Sequence, residues 1–128
     1  MIEDALTGLR GKIQVLGLPA PEIGPAPDGD SIGMFIAGGI PAEFLSRGRN
    51  DVLTLVVNVK NSDQKTAINW GETVQAAFMK RGAALPAGDG WRVESITLAT
   101  PLSYVDREES GRWIYSVVFD LYFTTKGV

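Results

Sequence analysis

The chain has no cysteine and no histidine among its 128 residues. The first absence excludes disulfides, thiol nucleophiles and thiolate metal sites, and it suits a reducing compartment. The second removes the usual acid/base side chain near neutral pH and the commonest metal ligand. A Ser–His–Asp triad is therefore impossible, and a zinc site would have to be built from carboxylates alone. Catalysis by carboxylates or lysine stays formally open. Positive charge is also in short supply: 12 Lys and Arg face 15 Asp and Glu, for a net charge of −3. The basic residues do not cluster, so the chain is a poor fit for sequence-independent binding to phosphate backbones. No apolar run reaches the ~20 residues of a membrane-spanning helix. The opening Met1-Ile2-Glu3-Asp4 lacks the basic and apolar regions of a signal peptide, which predicts synthesis and folding in the cytoplasm. Neither GxxxxGK[ST] nor a GxGxxG between strand and helix occurs, so no phosphate-cradling loop is predicted.

What is present is one domain's worth of ordinary globular sequence, 45% hydrophobic and 21% charged, spanning residues 1–128. Ile2, Ala5, Leu6, Leu9, Ile13 and Leu16 recur at helical spacing and predict an amphipathic helix from Ile2 to about Leu16. Glu3 and Asp4 complement its dipole, and Gly8 and Gly11 offer close packing against a sheet. Leu18–Ser31 holds four of the seven prolines and reads as a surface connection. Ser31–Ala37 alternates as a strand. Val52–Val59 is apolar on both faces, which predicts a central strand covered on both sides. Asn61-Ser62-Asp63 supplies N-cap chemistry for a helix from Gln64 to about Arg81. Trp91–Thr100 reads as a strand that continues as an edge or irregular stretch through Pro101–Tyr104, because proline cannot donate to an inner ladder. Asp106–Gly111 is a charged turn, and Arg112–Thr125 a long strand whose odd positions from Trp113 to Phe123 are all apolar. The last two strands should form a hairpin. The predicted fold is α+β: a mostly antiparallel four-stranded sheet with two main helices packed on it, in the order α-β-β-α-β-β.

No constellation points to catalysis, a cofactor or a metal. Asp28-Gly29-Asp30 and Gly88-Asp89-Gly90 resemble fragments of calcium loops without the full pattern and read as turns. Asp106, Arg107, Glu108 and Glu109 sit together at a hairpin tip, which reads as a solvated tip or a partner contact. Arg47 and Arg49 lie between the first two strands, where they either face solvent or pair with carboxylates of a neighbouring subunit. Of the three tryptophans, Trp113 belongs to an apolar strand face and reads as core, while Trp70 flanks the helix stripe and is a candidate partner contact. The final strand is about twice the usual length. At a sheet edge it would expose unpaired backbone groups, which pairing with a second subunit would satisfy.

Val57-Asn58-Val59-Lys60-Asn61-Ser62-Asp63-Gln64 runs a strand into a helix with an L-x-V-x-V-K-x-x-D-Q look. Ile96 to Phe123, ITLATPLSYVDREESGRWIYSVVFDLYF, gives a strand reaching Thr-Pro, an acidic turn and a Gly-x-Trp-Ile-Tyr-Ser hairpin arm. In their order and in total length these segments resemble the minor capsid and tail-terminator (head–tail joining) proteins of long-tailed bacteriophages. The resemblance implies a structural virion protein with no enzymatic activity and no cofactor. It implies a ring, hexameric in that family, that caps the tail tube, ends its polymerisation and docks to the head connector, with DNA passing the lumen without specific binding. Assembly in the host cytoplasm and no membrane partner go with it. The chain's acidity suits a lumen that should not hold DNA. The alternatives are another virion ring component, such as a head-completion or tail-tube protein, and, from a different class, a small carboxylate-dependent enzyme or ligand-binding domain.

Overall fold

The computed structural model describes residues 2–37, 50–80, 82 and 85–125. Helix α1 spans Ile2–Gln14, ending two residues short of the expected Leu16, and it buries Ala5, Leu6, Leu9 and Ile13 of the stripe read from the sequence, with Ile2 half-buried and Leu16 exposed beyond its end. Gly8 lets this helix approach a loop rather than the sheet, since a Cβ there would lie 3.0 Å from the Pro86 ring, whereas a Cβ on Gly11 would meet nothing. Then come β1 (Glu22–Ile23), β2 (Ser31–Ala37), β3 (Asn50–Asn61), α2 (Gln64–Met79), β4 (Ala87–Gly88), β5 (Trp91–Arg107) and β6 (Trp113–Thr125).

The sheet is six-stranded, in the order β1-β2-β3-β6-β5-β4, and not four-stranded as the sequence suggests. The two additional strands are two residues long each and sit at the outer margins, where pairing with a neighbour, not a local pattern, creates them. β1 runs parallel to β2, with the Gly24 amide donating to the Met34 carbonyl at 2.8 Å. The other ladders are antiparallel. The proline-rich segment lies against β2 at Gly33, where a Cβ would fall on the backbone of Gly24 and Ala26. A glycine is needed there because backbone packs on backbone.

Asp63 caps α2 as its position predicts, its carboxylate accepting from the Thr66 amide at 3.1 Å and the Thr66 hydroxyl at 2.6 Å. The helix ends at Met79, short of Arg81, with Lys80 already extended. Both helices lie on one face of the sheet. Their buried residues meet Ile32 and Met34 of β2, Leu53, Leu55, Val57 and Val59 of β3, Val93 and Ile96 of β5, and Val117, Phe119, Leu121 and Phe123 of β6. Phe78 of α2 packs on Phe119 with ring centroids 4.9 Å apart. Close contact is possible at Gly71, where a Cβ would strike the Leu102 side chain.

The hairpin predicted from the last two segments is present, but the final strand is not at an edge. β6 lies between β3 and β5 and is paired along both sides. The edge falls to β5. That strand has 17 residues against 13 in β6, and the pairing register shifts at four places along it. Each shift is a bulge that takes up one extra residue and bends the strand. β5 therefore runs unbroken through Pro101, which stands in one of these bulges without a register partner.

Candidate functional site

Of the four residues that the sequence singles out in the charged turn, Asp106 and Arg107 are the last residues of β5, paired with β6, and only Glu108 and Glu109 lie beyond the strand; the structure gives them different tasks. Glu108 accepts from the Lys60 ammonium at 3.0 Å, and the Lys60 side chain is only 6% exposed. A lysine so enclosed must be paired, and Glu108 pairs it. The Lys60 hydrogen bond, with help from its charge and from the Ser110 hydroxyl, holds the Glu108 carboxyl below the usual range against the opposing pull of burial. Arg107 lies over the Trp113 ring, 4.5 Å from its centroid, and donates to the Gly111 carbonyl at 3.2 Å. Asp106 accepts from the Arg107 amide at 2.7 Å and is exposed, as is Glu109. Arg112 donates to Asp30 at 3.1 Å. The Asp30 carboxyl is held low first by the Ser62 amide and then by Arg112. The tip is thus stapled from inside, and it turns outward the carboxylates of Asp106 and Glu109 together with Arg107, whose guanidinium lies over Trp113.

Trp70 is half-buried and packs against the core from α2. Arg47 and Arg49 lie outside the described residues. The structure brings Asp106, Arg107, Glu108 and Glu109 together but leaves Trp70 on a separate element.

Three pairs of exposed large apolar residues were not read as surface in the sequence, which placed Leu16 in a buried helix stripe and Val52 on a covered strand face. Val52 and Tyr122 are register partners on the sheet face opposite the helices, 49% and 37% exposed. Around them on the same face stand Phe35, Val56 and Val118, all half-buried and aligned by the ladder. The reading of β3 as covered on both sides fails here: among the described residues no helix lies on this second face. The second pair is Tyr104 and Val105 near the end of β5, each just over half exposed. Tyr104 sits edge-on to both Trp113 and Tyr115, and Tyr115 receives a hydrogen bond from Gln64 at the start of α2. The third pair is Val15 and Leu16, just past the end of α1; Val15 is 83% exposed. Alternation in β6 carries a signal for Tyr122. Val105 occupies a bulge, and no periodicity could have found it.

The outer margin of β5 from Glu94 to Arg107 pairs with no other strand among the described residues, since β4 reaches only Trp91 and Arg92. Its middle is blunted by Pro101, by bulges and by Gln75 of α2, whose side-chain carbonyl accepts from the Leu102 amide at 3.0 Å. Its far end, at Tyr104 and Val105, is not covered in this way. Among the described residues no group of three or more Asp or Glu could hold a metal ion, and no helix is long and apolar enough to cross a membrane.

No model of a protein family matches the chain, and no curated protein matches it either. Among solved structures it is similar to a chain from the virion of a native gene transfer agent particle, with a TM-score of 0.57 and 17% identity. The match covers 87% of this chain and 83% of that one. Nearly the whole of each chain is involved, and what the two share is a fold.

Proposed function

We propose that this chain is a structural subunit of a phage-like virion and that its activity is self-association. The observation that carries this is the fold it shares, almost end to end, with a subunit of the gene transfer agent virion. The surface supports it: among the described residues, an apolar sheet face that no helix covers and a strand margin left open at its far end are what a subunit made to be completed by neighbours presents. Within that class the tail-terminator role is the reading that the order of its sequence segments favours. Such a subunit forms a ring, hexameric by resemblance, that caps the tail tube and joins it to the head connector. Its place is the virion, with assembly in the host cytoplasm, and it acts without enzymatic activity. DNA passes the lumen without being bound in a sequence-specific way. A head-completion or tail-tube role shares the same surfaces and is separated by the partner that is capped.

The test is sedimentation of the purified chain over a concentration series, with electron microscopy in the presence and absence of purified tail tubes. Rings that grow with concentration and sit at tube ends are the expected result. A chain that remains single at millimolar concentration and ignores tail tubes overturns the proposal.

A further inference from the structure

Two of the exposed apolar pairs lie at opposite ends of α2 and carry opposite charge. The C-terminal ends of α1 and α2 form a shallow groove of about 370 Å3 lined by Val15, Leu16, Ala77, Lys12 and Lys80. Lys80 is exposed, while Lys12 is already engaged within the chain. Glu72 stands about 12 Å back along the helix from Lys80. At the other end Gln64 bonds to Tyr115, and Tyr104 packs beside it. That end presents Tyr104 and Val105, followed along the chain by the exposed carboxylates of Asp106 and Glu109; Arg107 between them is exposed too but lies over the Trp113 ring, and Arg112 is paired with Asp30. The 16 residues of α2 separate the two patches by about 24 Å.

We infer that the hairpin end of one copy, with Tyr104, Val105 and Glu109, seats in the Val15–Leu16–Lys80 groove of the next. The occupant is a second copy of this chain because each patch offers what the other lacks: a projecting apolar pair with carboxylates, and an apolar hollow with an ammonium at its rim. Two different patches on one molecule make a head-to-tail contact, which propagates and closes into a ring when the rotation permits. The inference rests on the self-association proposed above and names the surface that performs it.

Charge reversal at exposed positions tests it without touching the core. Lys80→Glu and Glu109→Lys should each weaken assembly at least about tenfold, since each adds like-charge repulsion to a lost attraction, and Val15→Asp should do the same. All three should keep the wild-type circular dichroism spectrum and thermal midpoint. The decisive arm is mixing. Lys80→Glu and Glu109→Lys subunits, each deficient alone, should co-assemble at wild-type concentration, because alternating copies restore complementary charges at every contact. Variants that assemble like the wild type, or a mixture that stays dissociated, overturn the surface while the wild type's own assembly keeps the broader reading intact. A wild type that never assembles overturns both.

Discussion

β5 and β6 pair along their length, yet they are built on opposite plans. β6 is regular: Tyr115, Val117, Phe119, Leu121 and Phe123 are buried in strict alternation, and its pairing with β3 runs twelve residues without a shift. β5 needs four bulges to follow the same partner. Only Val93 and Ile96 along it are buried, with Leu98 and Leu102 packed at the periphery of the core. The central strand sets the register and fills the core, and its neighbour absorbs curvature and offers its outer margin to the surroundings. A sheet divides rigidity and adaptability in this way because a slip in β6 would turn its whole apolar set to the wrong face, whereas a bulge in β5 costs only local pairing.

Truncating a register pair tests that division most directly. Phe119 and Leu98 face each other across the ladder. Phe119→Ala removes a fully buried ring that also packs on Phe78, and should cost about 3–5 kcal/mol. Leu98→Ala removes a half-buried side chain and should cost roughly 1–2 kcal/mol. Urea denaturation of both variants measures the gap. Equal losses would mean that β5 is as much a part of the core as β6.

The same contrast governs what the sequence reveals. β2 is read to its exact ends, the Asp63 cap and the start of α2 are read correctly, and β6 is read to within a residue, because each is written in local periodicity or cap chemistry. β5 beyond Thr100 is legible only as irregular, since every bulge resets the period. β1 and β4 are invisible: Glu22-Ile23 and Ala87-Gly88 become strands only because β2 and β5 happen to lie beside them. The placement of β6 in the middle of the sheet is a matter of topology, which alternation does not encode. Of the residues proposed at the surface, the hairpin carboxylates could be found from their turn. The burial of Lys60 that draws Glu108 inward could not, because a lysine closing a strand looks solvated in sequence.

A second effect should come from the contact that ties β5 to α2. Gly71→Ala places a methyl group against Leu102. Overpacking of this kind costs about 1–3 kcal/mol, offset in part by the roughly 1 kcal/mol that alanine gains over glycine in a helix. The expected outcome is a net loss that Leu102→Ala relieves in the double variant. A stabilised single variant would show that the bulged segment yields freely and is not held by the helix.

Acid should weaken the end of the hairpin before its middle. The Lys60 hydrogen bond depresses the Glu108 pKa in the folded protein, so its stabilisation is fully present above the unfolded value, about 4.3. It is lost as the pH falls through the lower, folded value. The urea midpoint should therefore drop below about pH 5. Glu108→Gln should be less stable at pH 7, because Lys60 loses its charged partner, and its profile should be flatter over the acid range. A variant with the wild-type slope would place the titrating group elsewhere; Asp30, whose carboxyl is also held low, is the next to examine.

The smallest effect on stability is expected at Pro101. Its ring stands in a bulge on the margin of β5, without a register partner and next to the free edge. Threonine there should change stability by less than about 0.5 kcal/mol, because the position has no register partner in β6. Proline at Val118 of β6, between two paired strands, would instead remove an inner ladder bond and should prevent folding. What Pro101→Thr should change is behaviour between molecules. With an amide restored in its middle, the β5 margin becomes a better template for another strand, and light scattering should report irregular aggregates in place of closed assemblies. If the variant assembles and scatters like the wild type, proline is not what guards this edge, and the protection must come from the bulges and from Gln75 alone.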